Sequence, residues 1–276
     1  MGAWETSNVP EPRETGTSVA LIRVGCRDGD MDIAVVRDDM VDGLERSGAL
    51  DEAVAHAMRT VPRHDFVDDR PYDNRTAEFE GTRVLAPGVA GRLLSALSVD
   101  DGDQVLVVGA GVGYTAAVLA ELVGDRRVHA VDIARPVVYE ARRNLEHAGY
   151  EGVLVDCRDG ADGLPEYAPY DRILLEAAAV RPPRRLLEQL APDGQLVMPL
   201  GDGGTGQTLT AVAVDGGESV VVEEFGPVAF RPLLVDGEQY GAARNRTERE
   251  DAEFARQGYF APTGWEQEWI DWDEQL

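Results

Sequence analysis

A glycine-rich turn directly follows one of the most apolar runs of the sequence. Residues 105–114 read VLVVGAGVGY, with Gly109, Gly111 and Gly113 at alternate positions. Glycines let a backbone turn sharply, and they let a ligand approach the free N–H groups at the start of the next helix. A dinucleotide-binding G-x-G-x-x-G pattern would need glycine where Tyr114 stands, which disfavours an NAD-dependent oxidoreductase. The turn is therefore predicted to hold a different nucleoside-containing ligand.

Two aspartates follow the turn at the ends of later predicted strands. Asp132 ends RVHAVD, where a carboxylate can accept both hydroxyls of a ribose. Asp159 comes just past the next strand, where it can accept the amino group of adenine. Either one alone could be a helix cap or a turn former, but their order after a G-x-G-x-G turn predicts the S-adenosylmethionine site of a class I methyltransferase. The predicted cofactor-binding residues are Gly109, Ala110, Gly111, Gly113, Tyr114, Asp132, Asp159 and Gly160.

Alternating strands and helices must position these groups. The apolar runs predict parallel strands, and the segments of helical periodicity between them predict crossover helices. The last two runs, separated by Gly-Gly, predict an antiparallel hairpin. The expected fold is α/β: a Rossmann-like, doubly wound, mostly parallel sheet with helices on both faces and an antiparallel C-terminal hairpin. Its predicted strands lie at 104–109, 127–132, 152–157, within 170–179, and at 195–201, 207–214 and 218–226, and its helices at 115–124, 136–149 and 182–194.

The composition divides the chain into four predicted parts. Residues 1–30 are predicted to be a loose extension, with SVALIRVG (18–25) as an added strand or, alternatively, with Met31 as the natural start. Residues 31–98 are predicted to form a helical cap and the substrate-side segment, with a helix on each side of Ser47 and Gly48 and an extended stretch at 61–69. Residues 99–235 form the predicted core. Residues 236–276 form an acidic extension whose Trp-bearing end is predicted to be either a helix packed on the body or one that binds a partner.

Charge is the most unusual property of the composition. The net charge is −25, and all 26 basic residues are arginine. Acidic residues spread along the whole length suit a cytoplasm at molar salt, where self-repulsion is screened, so a halophilic and haloarchaeal source is predicted. The competing interpretation, a protein that binds a basic partner, would favour acids gathered in a patch. Duplex nucleic acid is not an expected partner, since phosphate binding requires a positive face.

Other sequence features exclude further classes. No apolar run approaches the roughly 20 residues that span a bilayer, and the N-terminus lacks the pattern of a secretory signal. The two cysteines, Cys26 and Cys157, and the four histidines show no metal-ligand spacing. The expectation is a cytoplasmic protein that uses no metal and binds no membrane. The oligomeric state is left open.

Several segments together resemble one methyltransferase family. VPRHDFV (61–67), the glycine turn with its helix (105–124), DGADGLPEYAPYDRILLEAAA (159–179), LLEQLAPDGQLVMPLG (186–201) and FGPVAFRPL (225–233) are similar to protein-L-isoaspartate O-methyltransferases. The resemblance covers about residues 37–235. It implies carboxyl methylation of isoaspartyl residues in damaged proteins, which begins their repair, with S-adenosylmethionine as cofactor. It also implies the family's variant of the sheet order.

The chain departs from the family pattern at two positions. The family carries a Thr-Ile-Ser-x-Pro motif whose serine is taken to bind the isoaspartyl group, and alignment on Pro87 places Leu85 at that serine. Val107 replaces the acidic residue usual in the cofactor strand. Loss of one hydrogen bond to a charged group costs about 1.5–3 kcal/mol, which weakens catalysis without abolishing it. Thr82 and Arg83 are the candidate substitute donors. Two alternatives stay open: a methyltransferase of another acceptor, and a non-catalytic homologue that binds the cofactor.

Overall fold

Seven strands form the central sheet of the computed structural model, which describes residues 28–201 and 206–233. The strands lie side by side in the order β5-β4-β3-β6-β7-β8-β9. The first five are mutually parallel, and β8 and β9 are antiparallel. Their bounds are β3 Val105–Val108, β4 Val128–Asp132, β5 Leu154–Cys157, β6 Tyr170–Leu175, β7 Leu190–Leu200, β8 Gln207–Asp215 and β9 Glu218–Val228.

The side chains of β3 show why this sheet is buried on both faces. Val105 and Val107 pack into one apolar cluster, and Leu106 and Val108 pack into another. Successive side chains of a strand point to opposite faces, so a strand that is apolar throughout requires cover on both. The first cluster also contains residues of α2 (Glu52–Thr60), α3 (Pro87–Leu97), α4 (Tyr114–Val123) and α5 (Arg135–His147). The short α6 (Arg184–Leu187) packs on the other face, through Leu186.

The C-terminal hairpin forms where the Gly-Gly pair predicts it. Gly216 and Gly217 have φ angles of 60° and 90°, which a two-residue turn between twisted strands requires. Val214 pairs with Ser219, and Asp215 pairs with Glu218. The predicted doubly wound, mostly parallel sheet with an antiparallel C-terminal end is confirmed.

In the described part of the chain, two helices precede the first hairpin, as predicted on either side of Ser47 and Gly48. The first, α1, spans Asp28–Arg46, so it begins inside the segment predicted to be a loose extension. The second, α2, is capped by Asp51, whose Oδ1 accepts the Val54 N–H at 2.8 Å. The segment 61–69, predicted to be extended, instead contains a 3₁₀ turn at Arg63–Asp65. A small hairpin follows, formed by β1 (Ala77–Phe79) and β2 (Thr82–Val84).

The predicted helix 182–194 is wrong over most of its length. Helix α6 ends at Leu187, and β7 has already begun at Leu190, which pairs with Tyr170. The Tyr170 N–H donates to the Gln189 carbonyl at 2.8 Å, so the chain directly after α6 already pairs with β6. Tertiary pairing with β6 here overrides a helical pattern that is compatible with either state.

Some predictions fall outside the described residues. These are the strand at 18–25, Cys26 and the C-terminal segment from 234 onward with its tryptophans. The four-part division of the chain stays a prediction. Among the described residues, no helix is both long and apolar enough to cross a bilayer.

The glycine at the start of α4 offers a stability test. Gly113 has a φ of 94°, and a Cβ there would lie 3.2 Å from both the Ala141 carbonyl oxygen and Leu145 Cγ of α5. Gly149 has a similar φ of 86° but open space around a Cβ. We expect Gly149→Ala to lower the free energy of unfolding by about 1 kcal/mol, from backbone strain alone. Gly113→Ala should lower it by about 2–4 kcal/mol, because overpacking adds to the strain.

Urea denaturation followed by circular dichroism measures both effects. If the two variants lose equal stability, the close packing of α4 on α5 at Gly113 is not what restricts that position to glycine.

Candidate active site

The carboxyl ends of β4, β3 and β6 open into one cavity of about 550 Å³. Ligands of open α/β sheets bind at this edge, outside the ends of the strands. Its lining comes from the β1–β2 hairpin with Leu85, the end of β3 with the glycine turn, the residues at the ends of β4 and β6, the turn after β5, and the segment after β9. The lining residues are Glu78, Gly81, Thr82, Arg83, Leu85, Val108, Gly109, Gly111, Val131, Asp132, Ile133, Gly160, Glu176, Ala177, Phe230, Arg231, Pro232 and Leu233.

The glycine turn is held in place by the neighbouring strand. The N–H groups of Gly109 and Ala110 both donate to the Val131 carbonyl, at 2.9 and 3.0 Å. Gly109 and Gly111 have φ angles of 95° and 53° and line the cavity. Ala110 is buried and is not among the lining residues. The turn is therefore fixed by backbone hydrogen bonds and presents two of its residues to a ligand.

Asp132 connects the second strand to the same turn. Its Oδ2 accepts the Gly111 N–H at 3.2 Å, and its Oδ1 accepts the Ala134 N–H at 2.9 Å. Burial raises the pKa of this carboxyl, and the backbone donors oppose that effect because they stabilise the charged form. Each carboxylate oxygen has a second lone pair, so the group can still accept hydroxyls from within the cavity.

The third predicted contact with the cofactor involves Asp159 and Gly160, just past β5. Gly160 lines the cavity, and a Cβ there would lie 2.5 Å from Val108 Cγ1. Asp159 accepts the Ala161 N–H at 2.8 Å through Oδ1 and is not among the lining residues. The backbone at residue 160 can therefore approach β3 closely only because that residue is glycine. Asp159 forms the turn that holds Gly160 at the cavity.

Gly113 and Tyr114 lie behind the cavity and are not among the residues that line it. Gly113 packs on α5, and the Asn144 side-chain amide donates to the Val112 carbonyl at 3.1 Å, which anchors the turn to that helix. The buried Tyr114 ring meets Phe66 edge-on, with 5.7 Å between centroids. Burial raises the pKa of Tyr114 to about 12. Both residues support the turn rather than lining the ligand space.

Arg63 is a buried cation that sequence reasoning did not single out. Its Nε donates to the Pro71 carbonyl at 2.8 Å, and its Nη2 donates to the Leu85 carbonyl at 2.5 Å. The guanidinium carbon lies 4.4 Å from the centroid of the Tyr114 ring. Burial lowers the pKa of Arg63. The side chain ties the substrate-side segment to the start of α4, and only its place inside the VPRHDFV motif could have drawn attention to it.

Three residues at or directly before the positions of the family's serine motif line the cavity. Thr82, Arg83 and Leu85 come from β2 and the residue after it. Arg83 Nη1 donates to the Ala229 carbonyl at 3.2 Å, so the hairpin is attached to the segment after β9. The structure thus brings the candidate acceptor-side residues to the same cavity as the glycine turn.

The segment after β9 forms the opposite wall. The Gln207 amide pairs with both backbone groups of Phe230, at 2.7 and 2.9 Å. Arg231 donates to the Gly81 carbonyl and lies 3.3 Å from Glu78 Oε1. Arg231 was part of the FGPVAFRPL resemblance but was not predicted as a site residue, because nothing local indicates that it returns to the first hairpin.

Glu176 is another functional candidate that the sequence analysis does not predict. It directly follows β6, its N–H donates to the Val108 carbonyl at 2.8 Å, and it lines the cavity. Its Oε1 is buried without a hydrogen-bond partner in the part of the chain that the structure describes. Burial raises the pKa of Glu176 to about 8, and a hydrogen bond from Thr115 opposes this shift. The one sequence signal was an acid among the apolar letters of RILLEAAA.

Comparisons with known proteins agree with this architecture. The model of the family described as protein-L-isoaspartate(D-aspartate) O-methyltransferase matches residues 36–239. The chain belongs to this family. A protein-L-isoaspartate O-methyltransferase of Aeropyrum pernix is 46% identical over 208 residues, which cover 72% of this chain and 78% of that one. One of Methanosarcina mazei is 37% identical over 216 residues, 75% of this chain and 87% of its own.

Solved structures also share the fold. A Plasmodium falciparum protein assigned to the same enzyme class, crystallised with S-adenosyl-L-homocysteine, superposes with a TM-score of 0.65 at 21% identity, covering 71% of this chain and 97% of its own. Membership of the family confirms the predicted resemblance and the class I fold. It also confirms the predicted S-adenosylmethionine-dependent isoaspartyl methyltransferase class.

Arg63 provides a test of how the site is held together. Replacement by methionine leaves the carbonyls of Pro71 and Leu85 without their donor, and each unsatisfied buried group costs about 1–3 kcal/mol. We expect Arg63→Met to lower the free energy of unfolding by about 2–4 kcal/mol. Arg92 also bonds two carbonyls, those of Phe225 and Pro227, but is less buried, so Arg92→Met should lower it by about 1 kcal/mol.

Denaturant titration gives both free energies. Equal losses for the two arginines would show that burial of Arg63 adds nothing to its structural role.

Proposed function

We propose that this methyltransferase modifies the carboxylate of L-isoaspartyl residues in proteins, and that the cavity at the ends of β4, β3 and β6 is where it does so. The observation that carries the proposal is the meeting of two sets of residues in one cavity. Gly109, Gly111, Asp132 and Gly160 come from the predicted cofactor pattern, and Arg83 and Leu85 come from the predicted acceptor side.

The residues on the cofactor side fit S-adenosylmethionine. Backbone lies close to the cavity at Gly109 and Gly160, where side chains would meet Glu176 and Val108. Asp132 presents a carboxylate at the end of β4, where the ribose hydroxyls of an adenosine would need an acceptor. When bound, the cofactor supplies a methyl group activated by its sulfonium charge. The protein holds the adenosine end of the cofactor in place through Gly109, Gly111, Asp132 and Gly160.

The acceptor chemistry requires little acid–base help. A carboxyl with an unperturbed pKa of about 4 is already an anion at neutral pH. The chain's own residues have to align that oxygen and keep water out. Leu85 contributes to a dry wall but donates no hydrogen bond. We propose that Arg83 supplies the missing donor, because a guanidinium matches the geometry of a carboxylate and the side chain lines the same cavity.

Leu85 also favours one competing function, a methyltransferase of a different acceptor. An apolar side chain in place of a hydroxyl disfavours a charged group at that point of the wall. The two functions differ in the product. Methyl esters hydrolyse at mildly alkaline pH, whereas methyl groups on nitrogen or sulfur do not.

A peptide assay tests the proposed function. Labelled S-adenosylmethionine should methylate an isoaspartyl peptide in molar KCl, and the label should be released by mild base. The same peptide with ordinary aspartate should stay unlabelled. Arg83→Leu should lower kcat/KM by about 10- to 100-fold, the effect of one hydrogen bond to a charged group. Arg70→Leu is the control, because Arg70 is exposed and is not among the residues that line the cavity.

Unlabelled isoaspartyl peptide would contradict the proposed activity, and base-stable label would favour another acceptor. If Leu85→Ser raises kcat/KM strongly and Arg83→Leu does not lower it, no residue has replaced the serine as hydrogen-bond donor, and the role proposed for Arg83 is wrong.

We further propose that the protein works in a cytoplasm of molar salt. A net charge of −25 without a single lysine destabilises the compact state through self-repulsion unless salt screens it. The Debye length falls from about 10 Å at 0.1 M to about 3 Å at 1 M. We expect the melting temperature to rise by more than about 10 °C between 0.1 and 2 M KCl, measured by circular dichroism.

Sucrose at matched osmolality is the control, because it is excluded from the surface but screens no charge. An equal rise in sucrose, or none in KCl, would remove the support for a halophilic protein.

A further inference from the structure

We infer that Glu176 binds the α-ammonium group of S-adenosylmethionine and thereby fixes the amino-acid end of the cofactor. The inference rests on the proposed function, because it places the cofactor in the same cavity. It adds a binding residue that neither the glycine turn nor the aspartates indicate.

The strand order determines which end of the cofactor reaches Glu176. Asp132 and Gly160 lie on the β4 and β5 side of the cavity, where the adenosine is proposed to bind. Gly109 directly follows β3, which lies between β4 and β6. Glu176 follows β6, the next strand on the far side of β3. A ligand with its ribose at Asp132 that continues across Gly109 therefore brings its remaining part, the amino acid, to Glu176.

The other carboxylates of the cavity are already engaged. Among the described residues, three acidic ones line it: Glu78, Asp132 and Glu176. Glu78 lies beside Arg231, and Asp132 accepts two backbone N–H groups. Glu176 alone of the three has a buried oxygen without a hydrogen-bond partner in the described part of the chain. Because buried polar groups are normally paired, this oxygen indicates a donor that arrives with a ligand.

The surroundings of Glu176 specify a cationic donor. Asp132 adds negative charge to the effect of burial, and together they hold the pKa of Glu176 at about 8. The nearby cation, Arg63, is committed to the carbonyls of Pro71 and Leu85 and to the Tyr114 ring. An ammonium group offers three N–H donors and a positive charge, so it would satisfy the free oxygen and stabilise the ionised form.

Glu176 also sits against the cofactor turn. A Cβ at Gly109 would lie 3.3 Å from the Cβ of Glu176, so the side chain starts directly beside the first glycine of the turn. The acceptor-side residues Arg83 and Leu85 come from a different element, the first hairpin and the residue that follows it. This placement favours contact with the cofactor over a role in which neutral Glu176 donates to the acceptor carboxylate.

Calorimetry with two ligands tests the inference without relying on turnover. The ligands are S-adenosylhomocysteine and its deaminated analogue, which lacks only the α-amino group. The wild-type protein should bind S-adenosylhomocysteine at least 10-fold more tightly than the analogue. Glu176→Gln should lose that preference. It should bind S-adenosylhomocysteine at least 10-fold more weakly than wild type does, and bind the analogue within about 2-fold of wild type. Glu80→Gln, which removes one exposed charge outside the cavity lining, should keep the preference.

Proton release provides an independent readout. A carboxyl whose pKa is raised to about 8 is mostly protonated at pH 7 and ionises when an ammonium binds, so up to one proton leaves per ligand. Titrations in two buffers of different ionisation enthalpy measure this number. The release should disappear in Glu176→Gln and with the deaminated analogue.

Three results would overturn the inference. Glu176→Gln could bind S-adenosylhomocysteine as wild type does, or it could lose both ligands equally, which would make its role structural. If Glu176→Gln binds the cofactor unchanged but has a raised KM for the isoaspartyl peptide, Glu176 contacts the methyl acceptor and not the cofactor. If wild type binds neither ligand, the proposed cofactor site itself fails, which is a distinct outcome.

Discussion

The pairing of β3 between β4 and β6 is the constraint on which the rest of the structure depends. Val108 lies level with Val131 on one side and with Leu175 on the other. Because all three strands run in the same direction, the residues that follow them emerge together at one edge. Gly109, Asp132 and Glu176 become neighbours for this reason alone, although they are far apart in the chain. The four apolar residues of β3 enforce this register, since exposing either face would leave apolar surface in water.

Polar groups buried around this edge define what is structural and what is free to bind. Arg63 is buried as a cation, but its guanidinium donates to two carbonyls and lies over an aromatic ring. It therefore links the substrate-side segment to α4. The amide of Gln207 is satisfied in the same way by the backbone of Phe230. Glu176 differs because one of its oxygens has no partner among the described residues. This buried oxygen without a partner is the feature of the site that most requires a ligand to explain it.

Leu85 offers no hydrogen-bond donor on the proposed acceptor side of the cavity. Arg83 and Arg231 both line that part of the cavity. Each is attached by a backbone carbonyl to the opposite wall, Arg83 to Ala229 and Arg231 to Gly81. Glu78 lies 3.3 Å from Arg231 on the same wall and offsets its charge, so the proposed contact with an acceptor anion depends mainly on Arg83.

The sequence by itself determined the strands of the central sheet, the order of the βα units and the identity of the turn, because these depend on local periodicity and on glycine at fixed positions. It also determined the family, because the matching motifs are spread along most of the chain. Only the tertiary structure decided what each residue of those motifs does. Gly109 faces the cavity whereas Gly113 packs on α5, a difference that local pattern does not show.

The same limit explains the errors and omissions. The end of the predicted helix 182–194 belongs to β7, which pairs with Tyr170. Glu176 gains its significance from strands that are distant in sequence. Burial, charge environment and missing partners are properties of assembled neighbours. They arise only when the sheet brings those neighbours together.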